Sequence, residues 1–276
     1  TVDLVLGARW TKDDKTGTFV QTINNPFAVN LRKAENTGLD LSDDQFTYRV
    51  GLNWTPNDDL SVRFAADKVD DNSPAKHGHR EAAGAGLSAA DPIPDNVYDT
   101  YAGFGDDNKV VNEGVSLTVA WELSDAVTFK SITAYREGET DTLIDFDSGP
   151  SHALDVPGHY ADRQATQELQ VLFEGEKLQG VAGLYYLNAM ASGEFDTILG
   201  GLFGGFTVAT SGRVDTTSYA AFADLSYDFT DKLRASAGVR YTRDEKEGTV
   251  HRENFLGIGS PLFGNDDAIP IQVRTN

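Results

Sequence analysis

The chain has 276 residues, with 43 aspartates and glutamates against 23 lysines and arginines, a formal net charge of −20 and no cysteine. This charge argues against nucleic acid as a partner, because neutralising phosphates needs an excess of lysine and arginine. The lack of cysteine excludes disulfides, thiol nucleophiles and cysteine-ligated zinc, and no apolar run is long enough for a transmembrane helix. A membrane β-barrel passes this last test, because alternation dilutes the apolar residues of its strands.

The sequence shows the period-two alternation of β-strands and almost no helical periodicity. In residues 115–121, for example, the odd positions are apolar and the even positions are small or polar. Each predicted strand has about 9 to 12 residues, which is the length that a tilted strand needs to cross a bilayer. Nine or ten such strands are predicted, near residues 2–11, 17–24, 45–54, 60–68, 113–122, 127–137, 163–173, 178–189, 217–228 and 233–243.

The connections between these strands alternate strictly between short and long. The short ones lie near residues 55–59, 124–126, 174–177 and 230–232, and the long polar ones at 69–112, 138–160, 190–216 and 244 onward. Outer-membrane barrels have short periplasmic turns, long extracellular loops and aromatic girdles at both interfaces. Aromatic residues do stand near the predicted strand ends, at Trp10, Trp54, Trp121, Tyr135, Tyr227 and Tyr241. We therefore predict an all-β fold, an antiparallel transmembrane β-barrel with short periplasmic turns and long extracellular loops.

The number of strands indicates a piece of a larger barrel. At this spacing a plugged barrel of about 22 strands would need roughly 600 residues, more than twice the length available. The first residues, Thr1 to Leu4, show none of the features of a signal peptide. A small barrel that closes by itself remains the alternative. We expect residues 1–276 to be a single partial outer-membrane β-barrel domain, an internal fragment of about 9–10 strands.

Several blocks of sequence, in the same order along the chain, resemble one family of membrane proteins. Ser-Ile-Thr-Ala-Tyr-Arg stands at 131–136, and Gln-Glu-Leu-Gln at 167–170 precedes Val-Ala-Gly-Leu-Tyr-Tyr at 181–186. A longer block ends in Gly-Val-Arg-Tyr-Thr-Arg-Asp-Glu-Lys at 238–246, and a hairpin pattern stands at 51–60. Together these blocks extend from about residue 45 to 250. They resemble the barrels of TonB-dependent outer-membrane receptors.

The resemblance implies TonB-dependent active uptake of a bulky, scarce nutrient across the bacterial outer membrane. A ferric siderophore is the first candidate, and a plant-derived oligosaccharide follows. TonB is then a partner through a part that this chain lacks, because we find no counterpart of the family's plug, TonB box or C-terminal strands. Outer-membrane lipid and lipopolysaccharide would surround the barrel. No cofactor is implied, and a transporter is expected rather than an enzyme.

Two other classes of protein stay open at this point. A passive porin or diffusion channel shares the alternation and the loop asymmetry, but needs neither plug nor TonB box. A soluble acidic β-protein that acts as a binding module would lack a lipid-facing belt. On the predicted barrel, Val239 belongs to the lipid face, and the residues of the lumen include Lys130, Gln170, Arg234 and Arg240.

The candidate ligand-contacting residues lie in the predicted extracellular loops. His77 and His79 could bind a metal or a catechol–iron complex, although a polar loop tip is the simpler interpretation. Loop aromatic residues could stack on an aromatic or sugar ligand, although exposed aromatic residues in loops are common. The aromatic candidates are Tyr98, Tyr101, Phe104, Phe203 and Phe206.

Catalytic and metal-binding motifs are not expected in this sequence. It has no Gly-x-Ser-x-Gly nucleophile elbow, so we predict no catalytic residues. Asp145 and Asp147 are spaced like the first ligands of a calcium-binding loop, but the twelfth position has no glutamate. We therefore predict no metal site.

Overall fold

The computed structural model describes residues 1–13, 16–18, 38–40, 43–75, 78–83, 89–105, 107–201, 204–264 and 269–270. Within these ranges, no helix has the length and the apolar character of a membrane-spanning helix. One turn of 3-10 helix lies at Pro261–Phe263. The strands are β1 (Val2–Asp13), β2 (Thr16–Thr18), β3 (Gly38–Asp40), β4 (Asp43–Trp54), β5 (Leu60–Asp71), β6 (Asn108–Ser124), β7 (Val127–Asp145), β8 (Asp155–Glu174), β9 (Leu178–Leu199), β10 (Phe206–Thr230), β11 (Leu233–Leu256) and β12 (Ile269–Pro270).

Ten of these strands form one antiparallel sheet in which neighbours in sequence are neighbours in space. The order is β1-β4-β5-β6-β7-β8-β9-β10-β11-β12, and β2 and β3 pair separately. The predicted all-β antiparallel fold is confirmed. The predicted strand at 17–24 falls largely outside the described residues.

Most strands extend farther toward the long connections than the sequence predicted. Strands β6 to β11 have between 17 and 25 residues each, instead of about 9 to 12. The stretches 138–160 and 190–216 were predicted as loops, but most of their residues continue the pairing, and only 146–154 and 200–205 connect strands. That prediction was wrong because the apolar alternation ends with the bilayer, whereas backbone pairing continues into water with polar side chains.

The short connections stand where they were predicted. Turns of two to five residues join the strands at 55–59, 125–126, 175–177 and 231–232. All four lie at the same end of the sheet, because the strands alternate in direction. The opposite end carries the longer connections, including the segment 72–107 between β5 and β6, which we call the long loop.

One face of the sheet is apolar across nine strands. In an antiparallel pair, directly opposed residues point to the same face. The register therefore places Val239, Ala223, Ala182 and Val171 in one row. The same face includes Leu4, Leu6, Leu52, Phe64, Leu117, Val119, Leu169, Leu184 and Leu225. These residues form an apolar belt, which is interrupted on β7 and β8, where Ser131, Thr133 and Gln167 share the same face and hydrogen-bond to one another.

The belt has nothing packed against it in the described part of the chain. Val239 is 72% exposed and Leu184 is 59% exposed. The few fully buried apolar residues are mostly small or lie toward the long-connection end, so the sheet has no hydrophobic core of its own. A soluble protein would cover such a large apolar surface. An exposed belt is the arrangement that lipid requires.

Aromatic side chains border the belt at both ends. Tyr227 lies near the short turns and Tyr219 near the other border, eight residues apart on β10. That separation is about 26 Å along the strand, comparable with the apolar band of a membrane barrel, about 25 Å. Neighbouring rings also contact each other, since the Tyr186 and Tyr219 centroids are 5.2 Å apart. Tyr227 is one of the aromatic residues predicted at strand ends, whereas Tyr186 and Tyr219 were not among them.

Candidate functional site

The opposite face of the sheet is polar and carries paired charges. Arg136 on β7 reaches across β6 and donates to both carboxylate oxygens of Asp67 on β5, at 2.8 and 2.6 Å. Gly114 on β6 lies between them in the register. A β-carbon at Gly114 would lie 3.0 Å from the Arg136 guanidinium. The glycine therefore leaves the space through which the arginine side chain passes.

A second group on this face combines one cation with two aromatic rings. The Arg240 guanidinium carbon lies 5.6 Å from the ring centroids of both Tyr185 and Phe222. Arg234, six residues away on the same strand, forms an ion pair with Asp228 at 2.6 Å. The predicted division of β11 is thus observed, with Arg234 and Arg240 on the polar face and Val239 on the apolar face.

At the long-connection end, the long loop packs against the β7–β8 hairpin. Arg80 is buried, and its guanidinium donates to the backbone carbonyl of Asp147 and lies 3.7 Å from Asp91. The Gly103 amide donates to Asp145 Oδ2 at 2.8 Å. The contacts of Gly103 with Asp145 and of Arg80 with Asp147 join residues 42 and 67 positions apart in sequence.

Three carboxylates converge where the loop meets the hairpin, and we call Asp145, Asp147 and Asp155 the acidic cluster. One oxygen of each lies within 4.8 Å of the others. Burial and the nearby Asp155 carboxylate raise the pKa of Asp145 to about 7. Burial and the charge of Asp145 raise the pKa of Asp147 to about 6. Burial also raises the pKa of Asp155.

His152 is the basic neighbour of this cluster. Its Nδ1 lies 2.6 Å from Asp155 Oδ2. Burial by itself lowers the pKa of His152, but the hydrogen bond to Asp155 and the surrounding carboxylates raise it overall. Sequence reasoning missed this group as a unit. The only local signal was the spacing of Asp145 and Asp147.

The structure places four of the seven predicted ligand residues in the long loop. Tyr98 is exposed, Tyr101 and Phe104 are half-buried, and His79 Nδ1 lies 2.9 Å from the Asp99 carbonyl oxygen. The Phe104 ring is 6.3 Å from the His152 ring, which links this residue to the acidic cluster.

Of the other three candidates, Phe206 alone lies among the described residues. Phe206 was predicted in a loop, but it begins β10 and pairs with Leu199 and Leu256. That prediction was wrong because β9 and β10 extend farther than the apolar alternation showed. His77 and Phe203 lie outside the described residues.

Comparison with known protein families identifies the family to which this chain belongs. Residues 68–267 match the family described as TonB dependent receptor-like, beta-barrel. The chain belongs to this family. TonB-dependent receptors are transporters, not enzymes, and their β-barrels reside in the bacterial outer membrane. The family and the location predicted from the sequence are confirmed.

Solved structures support the fold of this TonB-dependent receptor barrel. Among the chains that match is the crystal structure of the ferric yersiniabactin uptake receptor FyuA from Yersinia pestis, with a TM-score of 0.60 and 17% identity. The match covers 92% of this chain and 39% of that chain, so the chain spans well under half of that receptor. At this identity the likeness shows the fold alone. The comparison with curated protein sequences gives no match.

Proposed function

We propose that this chain forms part of a receptor that takes up a bulky, scarce nutrient across the outer membrane, driven by TonB. The observation that carries the proposal is one sheet with an apolar belt on one face and paired charges on the other. Such a sheet suits a barrel wall, with lipid outside and a polar lumen inside. Membership of the TonB-dependent receptor family supports the coupling to TonB.

We propose further that residues 1–276 are a single partial barrel domain. In the described part of the chain, β1 has a partner on one side only, and beyond β10 strand β11 pairs only with the two residues of β12. Each unpaired backbone group in lipid costs several kcal/mol. Closure of the barrel therefore needs more strands, in keeping with a barrel of about 22 strands.

A ferric siderophore is the ligand that we propose first. The structural neighbour FyuA is a ferric yersiniabactin uptake receptor, which supports this class without identifying the compound. The long loop carries His79, Tyr98, Tyr101 and Phe104 on the side where a ligand would arrive. We retain these residues as proposed ligand contacts, together with His77, Phe203 and Phe206. An oligosaccharide, which aromatic rings also bind, is the second class.

Uptake of labelled iron tests the proposal in the producing bacterium. We expect deletion of the gene to abolish uptake of at least one ⁵⁵Fe-siderophore, and a plasmid copy to restore it. Deletion of tonB should abolish the same uptake, because the receptor would lack its energy source. Uptake that persists without TonB would favour the passive porin, and loss of labelled oligosaccharide uptake alone would select the second ligand class.

A further inference from the structure

The β7–β8 hairpin brings two like charges into direct opposition. Asp145 is the last residue of β7 and Asp155 the first of β8, and the two are cross-strand partners. Side chains in such a pair have their β-carbons about 5 Å apart, and like charges there are destabilising. Asp147, in the same hairpin, adds a third carboxylate. Backbone amides that donate to Asp145 and Asp147 offset part of this repulsion.

The cluster is buried, and one of its oxygens has no hydrogen-bond partner. Asp145 is 6% exposed and Asp155 is 1% exposed. Asp155 Oδ2 is paired with His152, but Asp155 Oδ1 is buried with no hydrogen-bond partner. A buried carboxylate oxygen without a hydrogen-bond partner is costly, so this oxygen indicates a place where a cation can bind.

The charges around the cluster do not balance. The three carboxylates and Asp91 face a single guanidinium, that of Arg80, and one imidazole, that of His152. When all four carboxylates are ionised and His152 is protonated, two negative charges remain without a counter-charge among these groups. A divalent cation supplies the charge that would neutralise them.

We propose that Asp145, Asp147 and Asp155 bind one Ca²⁺ ion at the junction of the long loop and the β7–β8 hairpin. The donors are all carboxylate oxygens, which hard cations prefer over softer metals. Two oxygens on opposite sides of one Ca²⁺ are about 4.8 Å apart, because each bond is about 2.4 Å long. The observed spacing of the three oxygens, within 4.8 Å, meets this limit.

The ion has a structural consequence for the long loop. Asp145 accepts the amide of Gly103, and the Asp147 carbonyl accepts from Arg80, so two ligands of the ion also hold the loop. Repulsion between uncompensated carboxylates would weaken both attachments. The same loop carries Tyr98, Tyr101 and Phe104. Calcium would therefore order a segment that presents candidate ligand contacts.

Direct binding of ⁴⁵Ca²⁺ tests the proposal on the native protein, purified from the outer membrane in detergent and stripped with a chelator. Equilibrium dialysis of the parent protein and the Asp155→Asn variant should differ by one bound ion per chain. Asn has nearly the shape of Asp but lacks the charge. Asp145→Asn is the second variant, and should lose the same ion.

The chain contains a matched control for this experiment. Glu139, Asp141 and His159 form another group of potential ligands, but both acids are exposed. Asp141→Asn should bind as much Ca²⁺ as the parent. Equal binding by the parent, Asp155→Asn and Asp145→Asn would overturn the proposal, and so would loss of the ion in Asp141→Asn alone.

Proteolysis provides a second readout, on the loop rather than on the ion. At a Ca²⁺ concentration ten times Kd, cleavage within residues 89–105 should slow about tenfold if the cleavable open state does not bind the ion. Asp155→Asn should show no Ca²⁺ dependence of cleavage. Equal Ca²⁺ protection in the parent and this variant would contradict the role of the cluster in holding the loop.

Discussion

At the scale of single residues, neighbouring positions on one strand meet different surroundings. Val239 lies in the apolar belt, with Ala223 as its cross-strand partner. Arg240, the next residue, lies on the polar face near the rings of Tyr185 and Phe222. Because side chains alternate along a strand, one step in sequence separates lipid from lumen.

The pair Val239 and Arg240 permits a matched substitution experiment. Val239→Arg should lower the free energy of unfolding by about 2–4 kcal/mol if the residue lies near the bilayer midplane. Arg240→Ala should be milder, about 1 kcal/mol, since it removes mainly cation–π contacts. Denaturant titration of the protein folded into lipid vesicles measures both values. Equal losses would show that the assignment of the two faces is wrong.

Glycines on the polar face differ in the space around them. A β-carbon at Gly183 would lie 2.5 Å from Cζ of Phe222 and 2.6 Å from the backbone oxygen of Leu169. At Gly7, also on the polar face, it would meet nothing within 4 Å. The need for glycine at 183 thus comes from a neighbouring ring and a neighbouring strand.

We expect Gly183→Ala to destabilise the folded barrel by about 1–3 kcal/mol, because the backbone oxygen has little freedom to move away. Gly7→Ala should be close to neutral by the same vesicle titration. A Gly183→Ala variant as stable as the parent would mean that β8 and β9 adjust their spacing at no cost.

At the scale of elements, the two ends of the sheet are built differently. At one end the strands are joined by turns of two to five residues. At the other end the strands continue beyond the belt, and the connections are longer, the longest between β5 and β11 being the long loop. The turns follow from local chemistry, because Asp, Asn and Gly favour tight connections. The lengths of the strands do not follow from local chemistry, because strand pairing outside the bilayer needs no alternation of apolar residues.

Single cysteines test the orientation of these ends, since the chain has no cysteine of its own. We expect Tyr98→Cys, in the long loop, to react with a membrane-impermeant maleimide on intact cells. Glu176→Cys and Asp231→Cys, in two short turns, should react only after the outer membrane is permeabilised. The parent protein serves as the unlabelled control. Labelling of both turn variants on intact cells would reverse the predicted orientation.

At the scale of the whole molecule, stability must come from closure and lipid rather than from an internal core. The described sheet is a single layer whose apolar face is exposed, and its outer strands lack partners on one side. A barrel closes by pairing every strand, which removes such edges. We therefore expect the described sheet to depend on further strands for closure.

Intact mass of the native protein from the outer-membrane fraction tests this dependence. We expect about 70–90 kDa, the size of about 22 strands at this spacing plus a plug. Residues 1–276 expressed alone should not give a detergent-resistant, heat-modifiable barrel, because two edges would stay unpaired. A native mass near 30 kDa with such a barrel would favour a small closed channel.

The sequence alone determined the strand-based fold, the division of β11 into two faces and the positions of the short turns. These features depend on residues one or two positions apart, so alternation and turn chemistry reveal them. The tertiary structure decided the full lengths of β6 to β11, the strand position of Phe206 and the acidic cluster. Arg80 and Asp147, for example, are 67 positions apart, and no local pattern links them. Only the packing of the long loop against the β7–β8 hairpin brings these two residues together.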